Sequence, residues 1–414
     1  MNRTRIQLLL WHILSAPLLT WVLMGFSMSY LLFFVNPIFF SAQVMQFFRY
    51  VPAINPIGTD LKYMLSYSES WFVAKQTPYI ANNLYPPLAT ILFTPLLFID
   101  FSWAYKILTL VNVACYVMIT LVFPIRAGKE RQVSSLLILV FITGLFSYGF
   151  QFELERGQFN VIAVFICFLA IWIYHYHNKY RYLGYILFSI SVQLKVYPII
   201  FLVMLISDWH DWRNNIKRLL ILATVNFVLF FALGPHIFVD FIIAIKSQAA
   251  NPYIWVGNHS ISSFVVFGSY PSPELTQFVL LALVAVCIFS IMLQVYRQNQ
   301  KDINPYLIFA CTIGALLIPS VSNDYKLSIL AAPVAILFSN DRFSERANSP
   351  YMHLIYIVVM LIFSVAYSST LISYTNKPIL IQNNFLALVT MLLAITFLSF
   401  VFKPPIEGVV SEPL

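Results

Sequence analysis

Charge is what this chain has least of. Only 10% of its 414 residues are Asp, Glu, Lys or Arg, against 60% hydrophobic ones, whereas soluble domains carry about 25% charged residues. That deficit excludes an ordinary water-soluble globule, and the mean hydropathy of +0.81 points the same way. Cysteine is scarce as well: Cys115, Cys167, Cys287 and Cys311 all lie inside apolar runs, with neither zinc spacing nor a disulfide framework. They read as small buried hydrophobes. A Walker loop, GxGxxG, HExxH and DxD are all missing, so neither a nucleotide nor a metal ion is called for. The net charge is +8, yet no basic stripe with interleaved aromatics stands in a polar stretch, and nucleic acid is not an expected partner. No repeat of roughly 20–50 residues is visible.

What is there is a series of apolar blocks recurring to the end of the chain, the mark of an all-α polytopic membrane protein whose solvent is the bilayer. Arg3 and Arg5 place the start in the cytoplasm. The apolar run behind them, about Gln7 to Val35, is too long for a signal-peptide core and predicts an uncleaved first helix. Pro86 to Ile99 is short and proline-rich, which predicts a juxtamembrane or re-entrant element. Spans are expected near Trp103–Phe123, Ser134–Phe150 and Val161–Tyr174. Tyr182–Ser207 reads as an element broken at QLKVYP, because a single span would put Arg213, Lys217 and Arg218 outside. Further spans are expected near Leu219–Leu233, Leu275–Tyr296, Tyr306–Pro319, Leu327–Phe338, Met352–Ser373 and Phe385–Phe402. The count is about 11–12 helices of membrane length, in a single domain over residues 1–414. Two outer loops, about 36–102 and 236–274, face away from the cytoplasm, and a cytoplasmic tail covers 403–414. This arrangement puts the larger share of the 24 Lys and Arg inside.

The polar residues that interrupt this pattern are the functional candidates. Asp60 opens LKYMLSYSES, a plausible amphipathic helix, so it is either an N-cap with Thr59 or a general base near a headgroup, and one residue can be both. The aromatics Tyr63, Tyr67 and Trp71 offer an acceptor or lipid platform, or an interfacial anchor. In QFELERGQFN, Glu153 reads as part of a solvated connection, whereas Arg156, Gln158 and Asn160 continue into a span and call for a cavity or a partner. Glu153 and Glu155 alone are a weak metal set. Lys195 sits inside an apolar run, where it either marks a site or snorkels to an interface. Asn258 and His259 lie in GNHS, which also matches a glycosylation sequon. Asp324, Tyr325 and Lys326 lie in SNDYK, which reads as a short solvated turn.

In order along the chain, Asp60, YPPL (Tyr85 to Leu88), GQFN (Gly157 to Asn160), LKVYP (Leu194 to Pro198) and GNHS, where the family often has Gln for His259, resemble glycosyltransferase family 87. The resemblance covers most of the chain. It implies the C-type glycosyltransferase fold and transfer of a sugar, mannose foremost, from a polyprenyl phosphate to a glycolipid, glycan or protein acceptor. Both substrates would be met at the bilayer surface of a bacterial plasma membrane, on its non-cytoplasmic side. It casts Asp60 as base of an inverting reaction, Lys195, Arg156 and His259 as holders of the donor phosphate, and Tyr63, Tyr85, Gln158, Asn160, Asn258 and Tyr325 as substrate contacts. No metal and no cofactor are expected. A lipid-linked-sugar flippase or another transporter is the alternative; a non-catalytic scaffold would not gather polar residues on one face.

The topology is directly testable. Cysteines introduced at Glu69 and Glu130 should differ, the first labelled from outside intact cells and the second protected. The reverse pattern would overturn the orientation.

Overall fold

The computed structural model describes residues 57–79, 83–127, 135–145, 147–206, 208–251, 257–298, 302–339 and 384–401. The expected first helix, the span near Met352–Ser373 and the tail from Lys403 lie outside them. The described elements are helical, with one isolated β-bridge between Asn258 and Asn323. They are α1 (Thr59–Phe72), α2 (Pro87–Phe93), α3 (Phe101–Val117), α4 (Ser135–Leu145), α5 (Tyr148–Arg156), α6 (Asn160–Tyr176) and α7 (Arg181–Leu194). There follow α8 (Trp212–Leu229), α9 (Pro235–Ala250), α10 (Ile261–Phe267), α11 (Pro273–Arg297), α12 (Pro305–Leu317), α13 (Ala331–Phe338) and α14 (Phe385–Val401). Between them, Thr94–Phe98, Tyr197–Leu205 and Asp324–Leu330 are 3₁₀ segments.

Two of these helices are long and apolar enough to cross a membrane: Phe101–Arg126, where α3 runs on through a π turn at Met118–Val122, and α11. The bent pair α5–α6 makes a third if it counts as one span. The chain is a membrane protein, and its surface says the same. Phe278 and Phe289 of α11 are 67% and 61% exposed, apolar area that suits lipid and not water. Every residue of α12 is buried, as expected of a helix that is hydrophobic all round. It stands at the centre, packed against α11, α13, α14 and the 3₁₀ segment Tyr197–Leu205.

Several expectations need correcting. The predicted span Ser134–Phe150 is two helices, because Ser147 stops α4 and caps α5 by accepting from Phe150 N. The stretch expected as a second outer loop, about 236–274, carries two helices, α9 and α10. The break at QLKVYP is present, with α7 ending at Leu194 and the 3₁₀ segment starting at Tyr197. In that segment Pro198, Phe201 and Met204 form one buried edge, the spacing of three that a 3₁₀ helix requires.

The bend between α5 and α6, 108°, is a Schellman turn. Gly157 N donates to Leu154 O and Gln158 N to Glu153 O, with Gly157 at φ +66. Glu153 is not solvated. It is fully buried, its Oε1 accepts from Val161 N at 2.8 Å, and its Oε2 accepts from Ser328 Oγ. Phe159 has no side chain that could cap α6, so Glu153 supplies the missing acceptor at the positive helix end.

The same turn fixes α1. Gly58, at φ +77, donates its N–H to Glu155 O at 2.7 Å. A Cβ on Gly157 would lie 2.9 Å from Leu61 Cβ and 3.3 Å from Gly58 Cα. Gly157→Ala therefore meets both a left-handed backbone, which costs an L-residue about 1–2 kcal/mol, and a clash. Its thermal unfolding midpoint in detergent should fall. Gly157→Asn relieves only the backbone and should also be destabilised; unchanged midpoints in both would refute the close approach.

Candidate active site

Asp60 stands in the first turn of α1, but it is not the cap. Gly58 holds that position, and the helix start has no side-chain cap. The carboxylate is left free to reach sideways. Its Oδ2 accepts from Gln158 Nε2 at 2.5 Å, and its Oδ1 lies 4.0 Å from Arg156 Nη1. Gln158 is held from behind, since Asn112 Nδ2 donates to its carbonyl oxygen at 2.7 Å.

The other end of the Gln158 amide meets Lys195. Nζ donates to Oε1 at 2.7 Å and to the Tyr85 hydroxyl at 3.3 Å. A carboxylate on one side and an ammonium on the other leave the amide one sensible orientation. Lys195 lies just past the C-terminus of α7 and is 7% exposed. Its ammonium lies 4.4 Å from the Tyr85 ring centroid and 4.2 Å from that of Phe159, a cation–π clamp that holds a charge where water is scarce.

These groups face one cavity of about 390 Å³, inside the range of small-molecule sites. Asp60, Tyr63, Tyr85, Gln158, Lys195 and Tyr325 all line it. Tyr63 is 54% exposed and stands at the rim. Tyr67 also faces in, and burial, then the Asp60 carboxylate, pushes its phenol up to about 12; it stays a donor. Arg156 is adjacent through Asp60, with its guanidinium over the Phe152 ring. Trp71 packs against His236 instead, at 6.0 Å between centroids.

His259, Asn258 and Asn160 are not among the described residues that line the cavity. His259 is fully buried, Nε2 lies 2.6 Å from Asp324 Oδ1, and Nδ1 accepts from Asn384 N. The tautomer with the proton on Nε2 satisfies both bonds. Asn258 Oδ1 accepts from Ser322 N at 2.9 Å, and His259 N donates to Ser322 O at 2.8 Å. GNHS and SNDYK are thus one interlocked joint, and SNDYK is no solvated turn: Asp324 is fully buried and Lys326 7% exposed. The joint presents Tyr325 and Lys326 to the cavity. Asn160 is buried where its carbonyl accepts from the Tyr197 hydroxyl at 3.2 Å.

Lys326 and Tyr197 also line the cavity, though no motif marks them as site groups. Lys326 Nζ lies 5.1 Å from the Tyr197 ring centroid and donates to Val321 O at 2.5 Å. The only signal for it was a lysine just before an apolar run. From α9, Ile245 and Gln248 close the wall, and Thr77 is tied to α9 by its bond to Asp240 Oδ2 at 2.8 Å. Among the described residues no group of three or more His, Cys, Asp or Glu is placed to hold a metal ion.

The roles of His259 and the cavity residues separate by substitution. His259→Ala leaves the buried Asp324 carboxyl without that donor, a cost of about 1–3 kcal/mol, so the unfolding midpoint should drop. His259→Gln keeps an N–H toward Asp324 and should recover most of it. Equal stability of wild type and His259→Ala would remove the structural role.

The cavity thus pairs one carboxylate with two lysines beside a membrane-embedded bundle. The chain matches no curated protein and no solved structure. The family model that matches is that of Glycosyltransferase family 87, over residues 83–320. That stretch takes in Tyr85, Gln158 and Lys195, while Asp60 precedes it and Tyr325 follows it. The matching family is one of glycosyltransferases, which favours the transferase expectation over the transporter. With more than half of its length matched, this chain belongs to glycosyltransferase family 87.

Proposed function

We propose that this glycosyltransferase moves a hexose, mannose foremost, from a polyprenyl phosphate to a hydroxyl of a glycolipid, glycan or protein. The reaction takes place on the non-cytoplasmic side of a bacterial plasma membrane. On this reading the whole chain is one transmembrane domain of the C-type glycosyltransferase fold. The observation that carries it is the shared cavity of Asp60 and Lys195, joined end to end through the Gln158 amide.

Transfer needs a base for the acceptor hydroxyl and a counter-charge for the departing phosphate. Asp60 takes the acceptor proton while the acceptor oxygen forms its bond to the anomeric carbon. The bond from that carbon to the phosphate oxygen breaks on the opposite face, so the configuration inverts. The lipid phosphate leaves as an anion and needs charge, not a proton. Lys195 meets it as a point charge, with Lys326 on the same cavity and Arg156 beside Asp60. Tyr85 and Gln158 hold the lysine and the carboxylate in register before substrate arrives, the preorganisation that electrostatic catalysis relies on. Tyr63 and Tyr325 are the substrate contacts of the cavity wall. Pro319, Ser320 and Val321 line the same space.

Asp60→Asn tests the assignment. Asn keeps the shape and can still accept from Gln158, and no cap is lost because Gly58 holds that position. Expression, unfolding midpoint and donor-lipid binding should match wild type. Transfer from polyprenyl-phosphate mannose in membranes should fall by about 10²–10⁴, the usual cost of losing a general base. Near-normal turnover would take the base role away from Asp60.

A further inference from the structure

A second cavity, of about 730 Å³, lies between α7 and α8. Its position follows from how those helices are registered. Asn226 Nδ2 donates to Ser189 Oγ at 3.1 Å, and Gln193 Nε2 donates to Asn226 O at 3.1 Å. The two helices therefore run parallel, with Ser189 and Asn226 at one level. Arg181 precedes Ser189 by the same interval as Arg218 precedes Asn226. Both arginines thus stand at one level, about 12 Å below the clasp. Each lines the cavity, as does Asn178. Neither forms an ion pair among the described residues, and Arg181 Nε is buried without a hydrogen-bond partner. Arg181 also opens α7, so the positive end of the helix adds to its charge.

Above the arginines the walls turn apolar, with Ile186, Ile190, Ile221, Val225 and Leu229. From the level of Arg218 to Leu229 is ~16 Å of helix, about half of a ~30 Å hydrocarbon core. Two planar cations at the mouth of an apolar slot one leaflet deep match a phosphodiester with an acyl chain. Arginine forks bind phosphate oxygens two at a time, and basic pockets between membrane helices select anionic headgroups. The arginine end is the far end of α7 from Lys195, about 20 Å along the helix, so this is not the phosphate site of the candidate active site. We propose that the α7–α8 groove is a binding site for an anionic glycerophospholipid, with Arg181 and Arg218 on its phosphate and its acyl chain along Ile186, Ile221 and Val225.

Native mass spectrometry of the full chain released from detergent, with phosphatidylglycerol or phosphatidylcholine added, tests this. Phosphatidylglycerol should be retained and phosphatidylcholine should not. The double variant Arg181→Gln/Arg218→Gln should bind phosphatidylglycerol about 30-fold more weakly, at about 1 kcal/mol per basic residue and tenfold per 1.4 kcal/mol. Arg181→Lys/Arg218→Lys keeps the charge and should fall between the two, which separates loss of binding from loss of fold. Equal retention of both lipids, or undiminished binding in the glutamine variant, would overturn the site. So would displacement of phosphatidylglycerol by polyprenyl phosphate, which would hand the groove to the tail of the glycosyl donor.

Discussion

Everything at the candidate active site depends on the contact of two glycines. Gly58 and Gly157 both take left-handed backbone, and a side chain on Gly157 would strike Leu61 and Gly58. Because Gly157 carries no Cβ, the start of α1 lies against the Schellman turn, closely enough for Gly58 to donate to Glu155 O, while the bare Gly58 makes room for the Tyr105 ring. That approach puts Asp60 within a hydrogen bond of Gln158, which is the second residue of the same turn. The turn's other polar ends are taken as well: Tyr105 donates to Leu154 O, and the Gln158 carbonyl accepts from Asn112. A sharp bend at depth in a membrane protein is tolerable only when its backbone is satisfied in this way. The residues that satisfy it are those that hold the cavity wall.

The Schellman turn also departs from habit in an informative way. Its closing pair, the residues three before the end and two beyond it, ordinarily makes an apolar contact. Here that pair is Glu153 and Gln158. One caps α6 and binds Ser328, and the other bridges Asp60 and Lys195. A structural motif has been filled with polar residues, which places the same short stretch at the root of both the fold and the site.

Much of the site is legible in the sequence for one reason: a polar residue in an apolar run is expensive unless it has a task. Asp60, Tyr85, Gln158 and Lys195 stand out on that ground or through their motifs, and they meet at one cavity. The same argument cannot say which task. Glu153 and Asp324 look solvent-exposed from their polar neighbours, yet both are fully buried, each serving a distant element: Ser328 for one, His259 for the other. Such pairings join residues far apart in the chain, and no local pattern encodes them. His259 illustrates the converse, a residue whose chemistry suggests a phosphate ligand and whose place is a clasp. Hydropathy located the two described helices of membrane length, Phe101–Arg126 and α11, but overstated the rest: most other expected spans within the described residues are shorter helices. The α9 wall was not legible, because its apolar residues, Ile237 to Ile245, are split by Asp240 and too few to stand out as a span.

The 3₁₀ segment behind Lys195 has a consequence for chain length. Tyr197 meets α6 at Asn160, and Met204 O accepts from His175 Nε2 at 2.7 Å near the other end of α6. At about 2.0 Å per residue, Tyr197 to Met204 advances ~14 Å, against ~22 Å for α6 between Asn160 and His175 at 1.5 Å per residue; the reach of the two side chains closes most of the gap. The tighter winding lets a short return keep pace with a long helix, which is how α7 and α8 come to point the same way. The segment acts as a ruler. One residue more would slide α8 by ~2 Å against α7 and carry Asn226 off the level of Ser189, so length here is as constrained as identity.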